Sequence, residues 1–215
     1  MKNNFTLYLL IFIFSIVQIT NKCFAEEIKF EADNIELIND DIIRASKNII
    51  IKDNLGTEIY GDKILINKKE GLYTITDNVI FIDNQNILEI KTEKVIYDKF
   101  KNIVTTFNKT NIIKNNKYFV ETSNIKFNRN KNIIFTKEKA IFNDLENNKF
   151  NTESFEIILN KNLFKSNNAI FTDKELNIYN IKNLLFDYEN NKLLGKDVAV
   201  NKDNKVSEKK KFTSN

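Results

Sequence analysis

The feature that most constrains this chain is a repeat of about 30 residues along nearly its whole length. The first phrase of each copy reads apolar, any, small, any, any, apolar, any, apolar, and successive copies begin 29, 31, 30, 30 and 29 residues apart. Such units bury their apolar faces against neighbouring copies, so we expect a stack of like units. The six copies begin at Phe30, Ile59, Ile90, Val120, Phe150 and Tyr179.

A second phrase lies between these copies and begins at Ile43, Tyr73, Val104, Ile134, Leu163 and Leu193. Both phrases alternate with period two and are rich in Ile, Val, Phe, Tyr and Thr, which predicts twelve half-buried strands. In each phrase the small residue is followed by two residues, not one, before the next apolar residue. This break in the alternation predicts a corner or bulge in the strand. The predicted fold class is all-β: an open β-jellyroll, that is, a V-shaped two-sheet sandwich built of six two-strand repeats of ~30 residues. At about 4.8 Å per strand, six rungs would span roughly 29 Å.

The composition excludes the commonest catalytic groups. The 215 residues include no His, Pro or Trp and one Cys, which is Cys23. Nucleophile–histidine pairs, His-rich zinc sites and cysteine clusters are therefore ruled out. We expect a protein that is not an enzyme and that has no metal and no cofactor.

Residues 1–25 are typical of a secretory signal peptide, with Lys2 before an apolar run and cleavage before Glu26. The apolar run is about 15 residues, shorter than the ~20 of a membrane-spanning helix. Removal of Lys2 and Lys22 lowers the net charge from +4 to +2, and an evenly mixed surface argues against nucleic acid. The expected organisation is a signal peptide at 1–25, one β domain at 26–204 and a polar, Lys-rich tail at 205–215.

Four acidic residues, Asp33, Asp62, Glu93 and Glu153, recur at one repeat position. Paired carboxylates could hydrolyse a polysaccharide, as in an enzymatic β-solenoid. The favoured interpretation is a solvated corner position that recurs with the repeat.

The predicted interior is unusually aromatic, and two interpretations of it remain open. It is either an ordinary core or a groove for acyl chains, which need only apolar area and gain about 0.8 kcal/mol per buried methylene. The groove hypothesis assigns the lipid contacts to Phe30, Ile35, Ile49, Ile64, Phe81, Val95, Tyr97, Ile125, Phe127, Phe142, Phe155 and Phe171.

The phrases Phe30–Ile35 (FEADNI) and Ile59–Ile64 (IYGDKI) resemble the OstA-like domain of lipopolysaccharide transport. A second phrase of that domain is matched loosely by Asp77–Phe81 and better by Gly195–Val200. That fold is shared by LptA, LptC and the N-terminal region of LptD. The resemblance implies a periplasmic β-jellyroll that is associated with the outer membrane. Such a domain holds the lipid A acyl chains of lipopolysaccharide between its sheets and joins other OstA-like components edge to edge.

Within that family, the length, the six-fold repetition and the phrase Leu194–Val198 favour an LptD-like periplasmic domain. Such a domain would have an outer-membrane barrel and its lipoprotein plug as further partners. Against it, residues 201–215 are polar, and the cysteines that commonly tie such a domain to its barrel are missing. A free-standing LptA-like bridge and a structural β-repeat without ligand remain alternatives. Strand addition to the sheet edge would involve Ile28, Phe30, Ala32, Ile35 and Leu37.

Overall fold

The computed structural model describes residues 28–202 and 205–210, so the predicted signal peptide lies outside the described residues. Its elements are antiparallel strands and one short 3₁₀ turn at Leu159–Lys161, which confirms the all-β fold class. The strands are β1 (Ile28–Glu31), β2 (Asn34–Leu37), β3 (Ile42–Asp53), β4 (Thr57–Asn67), β5 (Leu72–Asp83), β6 (Leu88–Asp98), β7 (Ile103–Lys114), β8 (Tyr118–Ser123), β9 (Lys126–Asn128), β10 (Ile133–Thr136), β11 (Ala140–Asp144), β12 (Lys149–Thr152), β13 (Phe155–Ile158), β14 (Leu163–Thr172), β15 (Ile178–Asp187), β16 (Lys192–Lys202) and β17 (Lys205–Lys210).

Each of the twelve sequence phrases corresponds to one bent stretch of chain. Eight phrases form continuous strands, β3 to β7 and β14 to β16. The other four divide at the corner into the pairs β1/β2, β8/β9, β10/β11 and β12/β13. The predicted two-phrase repeat is thus confirmed, and each phrase contains one corner.

The corners coincide with the small residues of the repeat. The β3–β4 register shifts between Ser46 and Ile49, and the β4–β5 register shifts between Tyr60 and Lys63. A Cβ on Gly61 would lie 2.5 Å from Ile75 Cγ2, so the inside of this corner has no room for a side chain. The corner residues Asn48 and Asn78 have positive φ, which Asn tolerates better than most residues.

The corners divide the chain into two walls. Wall 1 contains β2, β9, β10 and β13, wall 2 contains β1, β8, β11, β12 and β17, and the long strands contribute one half to each. Each repeat therefore adds two strand segments to each wall. The expected span of roughly 29 Å was wrong, because it counted one rung per repeat; about a dozen segments at ~4.8 Å span roughly 58 Å.

The walls are staggered where they face each other. Arg129 directly follows β9, which is the seventh segment of wall 1 counted from the N-terminal end. It nevertheless contacts Asp53 at the end of β3, whose second half is only the second segment of wall 2. Likewise Tyr188, near the end of wall 1, contacts Tyr118 midway along wall 2. At the N-terminal end of wall 1 all four residues of β2 are exposed, and at the C-terminal end a cavity remains between Leu193 of wall 1 and Phe171 of wall 2.

The ordered sheet extends past the predicted domain boundary at residue 204. Strand β17 pairs with β16 from Lys202↔Lys205 to Val198↔Lys210, within the segment expected to be a polar tail. Ladder hydrogen bonds come from the backbone, so a polar, Lys-rich sequence can form an edge strand.

Candidate functional site

The predicted lipid-contact residues fall into three groups. Phe171 lies at the C-terminal end of the interior and is half-buried, and Phe30 and Ile35 lie on the first two strands. The remaining nine are at most 4% exposed and pack between the walls in the middle of the molecule. They are Ile49, Ile64, Phe81, Val95, Tyr97, Ile125, Phe127, Phe142 and Phe155.

The middle of the interior is a closed core. Phe81 of wall 2 meets Phe127 of wall 1 edge to face, with ring centroids 6.0 Å apart. Phe142 of wall 2 packs against Phe164 and Phe186 of wall 1 at 5.1 and 5.8 Å. In this state the middle interior holds its own side chains, and a ligand could enter only if the walls separated.

Polar side chains tie the walls together along the side opposite the corners, which we call the seam. Arg129 Nη2 donates to Asp53 Oδ2 at 2.8 Å and to Thr57 Oγ1, across the seam. Arg129 Nη1 donates to Tyr97 OH and Asn102 Oδ1 on its own wall. The side chains of Arg129 and Asp53 are only 8% and 4% exposed. We call the set Arg129, Asp53 and Thr57 the clasp.

Two further contacts cross the seam. Asn86 Nδ2 of wall 2 donates to Asn132 Oδ1 of wall 1 at 3.3 Å. Tyr118 OH donates to the backbone oxygen of Tyr188 at 2.6 Å. Lys114 lies between them and donates to the backbone oxygen of Asn86. Burial lowers the pKa of Lys114, and the Coulombic attraction of Asp83 opposes that effect only in part.

A cavity of about 260 Å³ opens between the walls beyond the Tyr118–Tyr188 contact. Phe171, Tyr179, Ile181 and Val198 of wall 2 and Leu193 of wall 1 line it with apolar surface. Phe171 stacks on Phe150 at 4.6 Å and on Tyr179 at 5.5 Å, so the aromatic core continues into the cavity lining. The last segment of wall 1, residues 192–196, has no further strand beside it among the described residues, which leaves this end of the interior accessible.

One carboxylate, that of Asp173, stands at the mouth of this cavity. Tyr179 OH donates to Asp173 Oδ2 at 3.0 Å, and Asn177 Nδ2 donates to the same oxygen at 2.9 Å. Burial tends to raise the pKa of Asp173, but these hydrogen bonds outweigh it and hold the pKa below its ordinary value. Burial, with the hydrogen bond to Asp173, raises the pKa of Tyr179. The mouth thus combines an apolar lining with a fixed negative charge.

The predicted partner edge lies at the other end of the molecule. Strands β1 and β2 each pair only with β3 among the described strands, so the outer side of each has no described partner strand. Ile35 and Leu37 are 60% and 63% exposed, whereas their register partners Ala45 and Ile43 belong to the core or pack against it. Ile28, Phe30 and Ala32 are half-buried against the same core.

A second cavity, of about 850 Å³, is a trough on the outer face of wall 1. Exposed Phe135 and Leu194 line it together with Lys137, Lys165 and Lys196. An acyl chain lying there would desolvate these charges, which is unfavourable. The inter-wall cavity is smaller, but its charge is confined to Asp173 at the mouth, so its apolar lining is the better match for an apolar ligand.

The recurring acidic residues lie at corners. Asp33 accepts a hydrogen bond from Asn48 at 2.8 Å, and Asp62 accepts one from Asn78 at 2.6 Å, so each pair links two adjacent corners. These contacts support the interpretation of a repeated corner position. Within residues 28–202 and 205–210, no group of three or more His, Cys, Asp or Glu could hold a metal ion.

Several functional candidates were not singled out from the sequence. Tyr179, Ile181, Leu193 and Val198 are repeat positions like any other, and only their place at the end of the stack makes them cavity residues. Arg129 lies in an Asn-rich turn; its one signal was that the chain has only two arginines, Arg44 and Arg129. An arginine among many lysines suggests a need for the planar, multidentate guanidinium.

The chain has similarity to known proteins at the level of solved structures. No family model matches the chain, and no curated protein matches it significantly. Among solved structures, the chain is similar to LptH, the LptA-homologous periplasmic component of the lipopolysaccharide transport device of Pseudomonas aeruginosa. The match has 14% identity and a TM-score of 0.43, and it covers 48% of this chain and 76% of that one. None of the described helical segments is long and apolar enough to cross a membrane.

Proposed function

We propose that this chain is a periplasmic lipopolysaccharide-transport module that holds a lipid A acyl chain between its two walls. The inter-wall cavity carries this proposal, because Phe171, Ile181 and Leu193 offer apolar surface from both walls where the interior is accessible. An acyl chain needs no catalytic group and gains about 0.8 kcal/mol per buried methylene. A volume of about 260 Å³ lies near the lower end of ligand pockets, roughly 300 Å³, and suits one chain and not a whole lipid A.

The partner edge supports a role in a longer assembly. Strands β1 and β2 offer backbone groups to an incoming strand, and Ile35 and Leu37 offer exposed apolar side chains beside them. We propose that another OstA-like component adds its terminal strand here, so that the two interiors join. The segment 1–25 would export the protein.

Two forms of this function are proposed, and they differ in the partners at the C-terminal side of the domain. An LptD-like module would sit at the outer membrane with a barrel and its lipoprotein plug. A free-standing LptA-like bridge would have neither. Both forms use the same interior and the same sheet edges. Sequencing the gene downstream of the codon for Asn215 distinguishes them, because only the LptD-like form requires barrel strands there.

Photo-crosslinking from two adjacent residues on opposite wall faces tests the acyl site. A photoreactive phenylalanine analogue replaces Phe171, which lines the cavity, or Ile170, which is 43% exposed on the outer face. The purified protein is irradiated with lipopolysaccharide. We expect an adduct from position 171 that excess lipid A suppresses, and little adduct from position 170. Equal yields at both positions, or none at 171, would contradict the proposal.

The packed core favours a second candidate, a structural β-repeat without a lipid ligand. Phe81, Phe127 and Ile75 are fully buried, as in any stable sandwich. On this hypothesis the terminal cavity is only an imperfectly covered end of the stack. Position 171 would then give no lipid adduct.

A further inference from the structure

The seam contacts divide the interior into a closed middle and an accessible C-terminal end. The clasp lies at one end of the closed section and the Tyr118–Tyr188 contact at the other. The 260 Å³ cavity lies outside this section, next to Leu193. If the acyl site is as proposed above, a chain bound there meets the closed core directly behind it.

We infer that the Arg129 clasp is a gate: it holds the seam shut over the middle of the interior, and its release admits an acyl chain among the packed residues. This inference rests on the proposed function for the identity of the ligand. The closing role of the clasp is independent of any ligand.

The clasp is built to close the seam specifically. One guanidinium nitrogen reaches Asp53 and Thr57 of wall 2, and the other is held by Tyr97 and Asn102 of wall 1. Asp53 is itself fixed, since its other carboxylate oxygen accepts the backbone N–H groups of Leu55 and Thr57 at 2.9 and 2.8 Å. A lysine has no planar fork and could not satisfy both walls in this way.

A buried ion pair also suits a contact that must open. Its Coulombic attraction is largely offset by the lost hydration of both charges, and that hydration returns when the pair separates. Apolar groups exposed by the same movement would be covered again by an acyl chain. Phe81 and Phe127, which meet between the walls, are the first candidates for that exchange.

Two readouts on the intact protein test the gate. The clasp variant is Arg129→Gln, and the matched control is Arg44→Gln, which removes the only other arginine and an exposed pair with Glu36. The first readout is hydrogen exchange without lipid. We expect the amides of 53–57 and 128–133 to exchange about tenfold faster in the clasp variant, with less than about a twofold change in the control.

The second readout is photo-crosslinking to lipopolysaccharide from position 81, in the closed middle, with position 171 as reference. We expect an adduct from position 81 in the clasp variant and none in the clasp-intact protein. Unchanged exchange would overturn the gate, and so would faster exchange without an adduct at 81 while 171 still reacts. If 171 does not react in any variant, the proposed function fails, and the exchange readout alone decides whether the clasp holds the seam. Should Arg129→Gln not fold, Thr57→Val removes one cross-seam acceptor and keeps the charge pair.

Discussion

At the scale of single residues, the corners and turns explain why the chain uses so much asparagine. Among the described residues, twelve of the seventeen non-glycine positions with positive φ are Asn. Asn reaches the left-handed region at lower cost than most residues, because its short polar side chain can bond locally. In a chain with only four glycines, Asn takes over much of the role that glycine has elsewhere.

Glycine is still required where the corner interior is too tight for a Cβ. We expect Gly61→Ala to destabilise the protein by about 1–3 kcal/mol, since its methyl group must displace the fully buried Ile75. Gly195 occupies the corner of the last second phrase and borders the cavity, where Val198 and Ile181 have room to shift. Gly195→Ala should therefore cost less than half as much in urea unfolding. Equal losses would show that the two corners are equally rigid.

At the scale of elements, the first two strands follow different rules from the rest. All four residues of β2 are exposed, including the apolar Ile35 and Leu37. Natural sheets usually protect such edges with charges, bulges or proline, and this chain has no proline. An edge strand that exposes two apolar side chains beside a single charge, that of Glu36, favours an interface with another strand.

A proline at an outward-facing amide tests this edge without damaging β2 itself. The Ile38 N–H donates to the backbone oxygen of Ile42, toward β3. Successive amides of an antiparallel strand point alternately toward and away from the neighbouring strand, so the Ile35 N–H points away from β3, toward the free edge. We expect Ile35→Pro to weaken association with an added OstA-like component in sedimentation experiments by about tenfold, with little change in the melting temperature. Ile35→Val keeps the amide and is the control. Association that survives the proline would exclude strand addition at β2.

At the scale of the whole molecule, period-two alternation and the 30-residue repeat were enough to predict the all-β class, the twelve phrases and the corners. They did not predict the stagger of the walls, because alternation says which side chains face inward but not which inward residues meet. The pairing of Phe81 with Phe127, and of Arg129 with Asp53, depends on that stagger. Most of the lining of the proposed acyl site was missed for a related reason. Phe171 was predicted from the sequence, but Leu193 and Tyr179 differ from other repeat positions only in lying at the end of the stack.

The stagger also predicts how stability is distributed along the stack. In a one-dimensional array each unit depends on its neighbours, so units with fewer contacts open first. The strands around Phe81 and Phe127 surround a fully buried core and are closed by the clasp. By contrast, all residues of β2 are exposed, and residues 192–196 form an edge of wall 1. Native-state hydrogen exchange should therefore be slowest in β5 to β7 and faster by about tenfold or more in β2 and β16. Uniform protection from β2 to β16 would mean that the sheet opens as one cooperative unit, and a lipid could not then enter one end while the middle stays closed.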